Sequence, residues 1–186
     1  MNVVADQDDL FAHYVARGHE AWNTSTDAAW LEFQLRDWVE PLIPAKVPKR
    51  VCNVGIGVGL WDDWLGHVLD RRDRLISLDL DPEICRVFSL RQARERHPLP
   101  ALVVRGDVHA GALPSGAFDL VTAISVDELG DRESALAAML DALAPDGRLI
   151  VTELADVVAA PNARVIARRH ARRGELALSL AVLVRD

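Results

Sequence analysis

Val51-Cys52-Asn53-Val54-Gly55-Ile56-Gly57-Val58-Gly59 decides the reading of this chain. The apolar run from Arg50 to Val54 reads as a buried strand, and a helical pattern begins at Leu60. Between them stand three glycines at alternate positions. Glycines at a strand-to-helix turn let the backbone bend sharply and let a ligand come close to the main chain. Asp79 stands twenty residues beyond Gly59, at the end of a second apolar run, Leu75-Ile76-Ser77-Leu78. An acid there can accept hydrogen bonds from both hydroxyls of a ribose. The pattern therefore points to a nucleoside-containing ligand.

Outward from this turn, strands and helices alternate. Strands are expected at about 50–54, 74–79, 101–105, 118–124 and 148–153, and helices at about 59–70, 82–96 and 131–143. Pro82 sits in the first turn of the second of these helices, Pro98 ends it, and Pro145-Asp146-Gly147 reads as a turn. Such alternation argues for a parallel sheet covered by helices on both faces. The ending differs. Val165 to Ala171 and Glu175 to Val184 are strand-like runs joined by a link containing Arg173-Gly174. A link this short permits only antiparallel pairing. Residues 8–40 read as helical, with Asn23-Thr24-Ser25-Thr26-Asp27 as a turn ending in a helix cap and Pro41, Pro44 and Pro48 stopping the helix. Residues 1–47 are thus expected as a helical appendage on a core of residues 48–186.

At 186 residues, half of them hydrophobic, the chain suits one globular domain. No apolar run reaches the ~18–20 residues needed to span a bilayer. Its start lacks the basic and apolar segments of a signal peptide, so a cytoplasmic location is the default expectation. Cys52 and Cys85 read as reduced core residues. The net charge of −7 disfavours membrane surfaces and nucleic acid as partners. Arg164, Arg168, Arg169, Arg172 and Arg173 form a local exception, read first as a solvated hairpin and second as a nucleic-acid patch.

Taken together, these residues resemble the class I S-adenosylmethionine-dependent methyltransferases, over about residues 48–186. Asn53 to Gly59 resembles the family's glycine motif, and Leu78-Asp79-Leu80-Asp81-Pro82-Glu83 its ribose-binding motif. Gly106-Asp107-Val108 resembles the adenine-contacting motif, and Phe118-Asp119-Leu120-Val121 the start of the fourth strand. Leu143-Ala144-Pro145-Asp146-Gly147-Arg148-Leu149 resembles the turn before the fifth strand. The resemblance implies an α/β fold, a three-layer Rossmann-like sandwich with N-terminal helices. Its seven-stranded, mostly parallel sheet would have the order 3-2-1-4-5-7-6 with strand 7 antiparallel.

The resemblance also implies S-adenosyl-L-methionine as cofactor. Backbone around Gly55, Gly57 and Gly59 would approach its methionine part, and Asp79 its ribose. Leu80 would pack on the adenine face, Asp107 would accept from the adenine amino group, and the Val108 amide would face a ring nitrogen. Ser125, just after strand four, would border the site. Asn53 departs from the pattern, because the family usually carries Asp or Glu there. An amide still accepts a hydrogen bond but has no charge. Cofactor binding would then be weaker, or another acid would take the role, or the chain would be a non-catalytic cofactor-binding partner.

Methyl transfer from a sulfonium is an in-line displacement in which the protein chiefly aligns the acceptor and excludes water. A general base helps when the acceptor is a hydroxyl or a protonated amine. Asp127 and Glu128 after strand four, and His13 and His19 in the N-terminal segment, are the candidates, with His109 as a further option. Each has a plainer reading, as a helix cap or a solvent-facing side chain. The segment after strand four is not an Asp/Asn-Pro-Pro-aromatic motif, which disfavours methylation of exocyclic amines on bases or of glutamine. No acid-rich trio suggests a metal. Trp22, Trp30, Trp38, Trp61 and Trp64 can line an acceptor pocket or dock the appendage onto the sheet.

The expected partner is a small-molecule acceptor, with no membrane; RNA or protein methylation is the weaker alternative, and a homodimer stays open. A nicotinamide-dependent oxidoreductase is the other class weighed, but its fingerprint needs glycine where Leu60 stands.

Overall fold

A computed structural model describes residues 25–126, 129–152 and 163–186. Helix α1 (Thr26–Val39) starts at Ser25, whose side chain accepts from the Ala28 amide at 3.0 Å. It passes through a 3-10 turn at Glu40–Leu42, so Pro41 continues the turn before the chain straightens. Strand β1 (Arg50–Val54) leads through the glycine turn into α2 (Leu60–Val68). Then follow β2 (Arg74–Asp79), α3 (Pro82–Glu95) and β3 (Leu102–Arg105). A 3-10 turn at Val108–Ala110 precedes β4 (Phe118–Ala123), α4 (Arg132–Asp141) and β5 (Leu143–Val151). Strands β6 (Ala163–Arg173) and β7 (Leu176–Arg185) close the described chain.

The seven strands form one sheet in the order β3-β2-β1-β4-β5-β7-β6. Its first five strands are mutually parallel, and β7 runs antiparallel between β5 and β6. The order and the antiparallel seventh strand are those that the sequence motifs imply.

The central strands β1 and β4 are buried almost throughout, which is why their sequences are mostly apolar, with Asn53, Asp119 and Thr122 as the buried polar exceptions. Their alternate residues serve opposite faces. Val51, Leu75 and Leu120 join Leu35 and Val39 of α1 and Trp61 and Leu65 of α2 in one cluster. Cys52 and Val121 join Leu136, Met139 and Leu140 of α4 in another. Phe88 of α3 anchors a third cluster, with Ile56, Ile84 and Val87.

Two expectations change in detail. Pro145-Asp146-Gly147 lies inside β5, not before it. The step from Phe118 to Leu120 on β4 matches the step from Leu143 to Arg148 on β5, so the predicted turn is an outward bulge in a paired strand. The tryptophans also resolve toward packing. Trp30, Trp38, Trp61 and Trp64 all belong to the cluster that seats α1 and α2 on the sheet. Trp22 lies outside the described residues.

Candidate functional site: the crevice at the carboxyl ends of β1, β2 and β4

Ligands of open α/β sheets sit beyond the carboxyl ends of the strands, where the order reverses. Here that place lies between β1 and β4, and the glycine turn closes it from β1. Gly55, Gly57 and Gly59 all take positive φ, at 82°, 54° and 79°. Gly59 shows why no side chain fits: a Cβ there would lie 2.6 Å from the Phe88 ring and 2.5 Å from the Arg91 guanidinium. Those two residues brace the turn from α3. Arg91 is buried, donates from Nη1 to the Val58 carbonyl at 2.7 Å, and pairs through Nη2 with Asp63 at 2.6 Å. Burial pushes the Asp63 carboxyl above its ordinary value despite that cation.

Asp79 ends β2 beside this turn. Its Oδ2 accepts from the Ile56 amide at 2.8 Å and its Oδ1 from the Asp81 amide at 2.9 Å. Oδ2 also accepts from the Gly57 amide at 3.5 Å. One carboxylate thus fixes both rims, and Oδ1 keeps lone-pair capacity for a ribose hydroxyl. Leu80 follows with 63% of its surface exposed, a bare apolar face next to the acid. Gly106 donates its amide to the Asp79 carbonyl at 2.9 Å, which sets the β3 loop beside β2. Asp107 caps the 3-10 turn by accepting from the His109 amide at 2.9 Å, and Val108 is buried below it. Ser125 leaves β4 in a left-handed conformation, φ 54°, and donates its amide to Thr152 Oγ1 at 2.9 Å. Its neighbour Val126 closes on the glycine turn, since a Cβ on Gly55 would lie 2.7 Å from the valine Cγ2. The structure therefore gathers Gly55, Gly57, Gly59, Asp79, Leu80, Asp107, Val108 and Ser125 on the loops at one edge of the sheet.

Asn53 lies beneath that surface. It is 1% exposed and sits in register with Ser77 on β2 and Thr122 on β4. Its Nδ2 donates to the Gly55 carbonyl at 2.9 Å and to Asp62 Oδ2 at 3.0 Å, and its Oδ1 accepts from Thr122 Oγ1 at 2.8 Å. Two acceptors on one side of the amide fix which atom is nitrogen. Asp62 also accepts from Ser77 Oγ, and Trp61 Nε1 donates to Thr122 Oγ1 at 3.3 Å. Burial pushes the Asp62 carboxyl up to about 7, although hydrogen bonds from Ser77 and Asn53 pull the other way.

Sequence reasoning missed Asp62. Its signal was present: Asp62 lies on the buried face of α2 with Trp61, Leu65 and Gly66. An acid on an apolar stripe next to a ligand turn is a site candidate.

Among the candidate bases, His109 is committed elsewhere. Its Nε2 donates to the Leu129 carbonyl at 2.7 Å, and its Nδ1 lies 3.2 Å from Ser134 Oγ. His13, His19, Asp127 and Glu128 lie outside the described residues. Among the described residues no group of His, Cys, Asp and Glu could hold a metal, and no helix is long and apolar enough to cross a membrane. Both cysteines are free and buried. A cavity lined by Lys46, Asp119, Pro145 and Arg148 opens at the opposite end of β4 and β5, away from the glycine turn.

Three comparisons agree with this geometry. Residues 52–151 match the family model described as a methyltransferase domain. A demethylmenaquinone methyltransferase of Thermus thermophilus is 32% identical over 112 residues, 58% of this chain and 48% of the relative. The chain thus aligns with about half the length of that curated relative. In fold, the chain is similar to magnesium protoporphyrin IX methyltransferase of Synechocystis PCC 6803, solved with bound S-adenosylmethionine. That match has a TM-score of 0.71 at 14% identity and covers 100% of both chains. TrmN of Thermus thermophilus aligns with a TM-score of 0.68 at 18% identity, over 81% of this chain and 48% of that one. The glycine turn, the acid ending β2, the sheet order and the matched family model place this chain among the class I S-adenosylmethionine-dependent methyltransferases, whose cofactor its crevice residues fit.

Proposed function

We propose that the protein transfers a methyl group from S-adenosylmethionine to a small organic molecule. The observation that carries this reading is Asp79, a carboxylate hydrogen-bonded to the glycine turn and flanked by the bare Leu80 face. The cofactor supplies an activated methyl on a sulfonium with a good leaving group. The chain's part is placement. Asp79 holds the ribose, Leu80 and the Asp107–Val108 turn receive the adenine, and the glycine turn admits the methionine part against bare backbone. Val126, packed on Gly55, narrows the crevice and helps exclude water. With His109 committed, the base for an acceptor that must lose a proton falls to Glu128, Asp127, His13 or His19.

Several features support a small acceptor. The net charge is −7, and Ser125-Val126-Asp127-Glu128 lacks the motif for base amines. Demethylmenaquinone and magnesium protoporphyrin IX, named for two similar proteins, are both small organic molecules. The arginine-bearing strand β6 lies at the far edge of the sheet, with β4, β5 and β7 between it and β1. That position favours the solvated reading of the arginines over RNA or protein methylation. A non-catalytic partner loses its main motive, because a carboxylate, Asp62, stands directly behind Asn53.

Calorimetry tests cofactor binding: the wild type should bind S-adenosylmethionine, and Asp79→Ala should weaken it by tenfold or more, about 1.4 kcal/mol. Equal binding by the variant would overturn the assignment. With labelled cofactor and host extract, label should appear in the low-molecular-mass fraction. Label confined to RNA or protein would overturn the small-acceptor reading.

A further inference from the structure

The buried network under the glycine turn has a donor–acceptor pattern of its own. Asn53 spends both amide hydrogens, one on the Gly55 carbonyl and one on Asp62. A carboxylate at position 53 would face the Gly55 carbonyl and the Asp62 carboxylate together, with no hydrogen to offer either. The amide at 53 and the acid at 62 are therefore complementary. The negative charge that the family's motif carries on β1 sits here on α2, one side chain deeper.

We propose that Asp62 is a positioning residue for the cofactor: acting through Asn53, its carboxylate supplies the negative charge beneath the glycine turn that favours a sulfonium ligand over an uncharged thioether. This rests on the cofactor reading above and adds to it a discrimination between cofactor and demethylated product.

The surroundings isolate this charge. On β1, Cys52 points to the opposite face of the sheet. Burial first, then the Asp62 charge, pushes its thiol up to about 12, so it stays protonated. From β2, Ser77 offers only its hydroxyl, and Thr122 of β4 reaches the acid only through Asn53. The α1 residues packed on this face are apolar: Trp30, Leu31, Leu35, Trp38 and Val39. The adjacent acid, Asp63, is paired with Arg91 of α3. No cation contacts Asp62 among the described residues; Arg91 is spent on Asp63 and the Val58 carbonyl. A cationic ligand favours the ionised carboxylate. By linkage, ionising the carboxylate favours the cationic ligand, so affinity rises with pH through the range where Asp62 titrates.

Asp62→Asn tests this. The amide is isosteric, can accept from Asn53 and can donate to the Ser77 oxygen, so both contacts remain without charge while the Ser77 hydrogen turns away from residue 62. The measurement is calorimetric titration with S-adenosylmethionine and, separately, with S-adenosylhomocysteine at about pH 6 and about pH 8. The sulfonium compound should bind the variant about fivefold or more weaker at the higher pH. The variant should also lose much of the wild-type rise in affinity between the two pH values. The thioether should bind both proteins within about twofold. The ligand's own amino group titrates in both proteins alike, so the difference between them reports residue 62. An unchanged affinity and pH slope in Asp62→Asn would overturn the proposal. Equal weakening of both ligands would also overturn it, because it would show a structural role alone. A wild type that binds neither compound would overturn the cofactor reading itself; a wild type that binds both while the variant matches it overturns only this inference.

Discussion

Asp62 is held in the fold at a cost that depends on pH. Its folded carboxyl titrates at about 7 against an ordinary 3.8, so the native state holds a proton that the unfolded chain has lost. Stability from this group is therefore full below about pH 4, falls between about pH 4 and 7, and is lost once the pH has risen through about 7. Asp62→Asn removes the dependence. The variant should match the wild type near pH 4 and exceed it near pH 8 by up to about 4 kcal/mol, read from denaturant melts at both pH values. Asn53→Asp should do the reverse, destabilising the fold most above pH 7, where two carboxylates would meet in a dry site.

Gly59 is a second residue whose chemistry is fixed by its neighbours. Its φ of 79° and the Phe88 ring 2.6 Å from a built Cβ leave alanine no relaxed position. Gly59→Ala should cost about 2–4 kcal/mol in a denaturant melt and weaken S-adenosylmethionine binding along with it.

At the scale of elements, α3 both ends the ribose loop and braces the glycine turn. It begins at Asp81, whose side chain accepts from the Glu83 amide at 2.8 Å, with Pro82 in the first turn. Asp81→Ala should lower stability by about 1 kcal/mol, measured by thermal melting, through loss of the cap. Phe88 and Arg91 stand about two and three turns further along this helix and carry its position to Gly59 and Val58. A helix that packs on β3 through one face thus sets the rim of the crevice through another.

Across the whole molecule, the closing hairpin completes the sheet. Strand β7 buries Leu178, Leu180, Ala181, Val182 and Leu183, contributing to the clusters on both faces. Strand β6 then forms the edge, and Arg168, Arg169 and Arg172 are exposed along it. Charged side chains on a long edge oppose pairing with other chains. A chain ending at residue 162 should leave one side of β5 unpaired and both clusters open. It should be recovered insoluble or unfolded, as judged by circular dichroism and gel filtration.

The sequence alone determined the order of elements and the ligand turn, because strand and helix periodicities and alternate glycines are local properties of the chain. It also determined the antiparallel hairpin, since so short a link around Arg173-Gly174 admits no crossover. It did not show the Pro145–Gly147 bulge, because pairing with β4 is a nonlocal contact that carries the strand past a locally turn-like stretch. Nor did it show that His109 is committed or that the described tryptophans pack beneath the helices. Asp62 is the clearest case. Its place on the helix face could be counted from the sequence, but its partners Asn53 and Ser77 come from two other elements. Only the tertiary fold brings one amide, one hydroxyl and one acid together away from water, and only there does a carboxylate of ordinary acidity titrate at about 7.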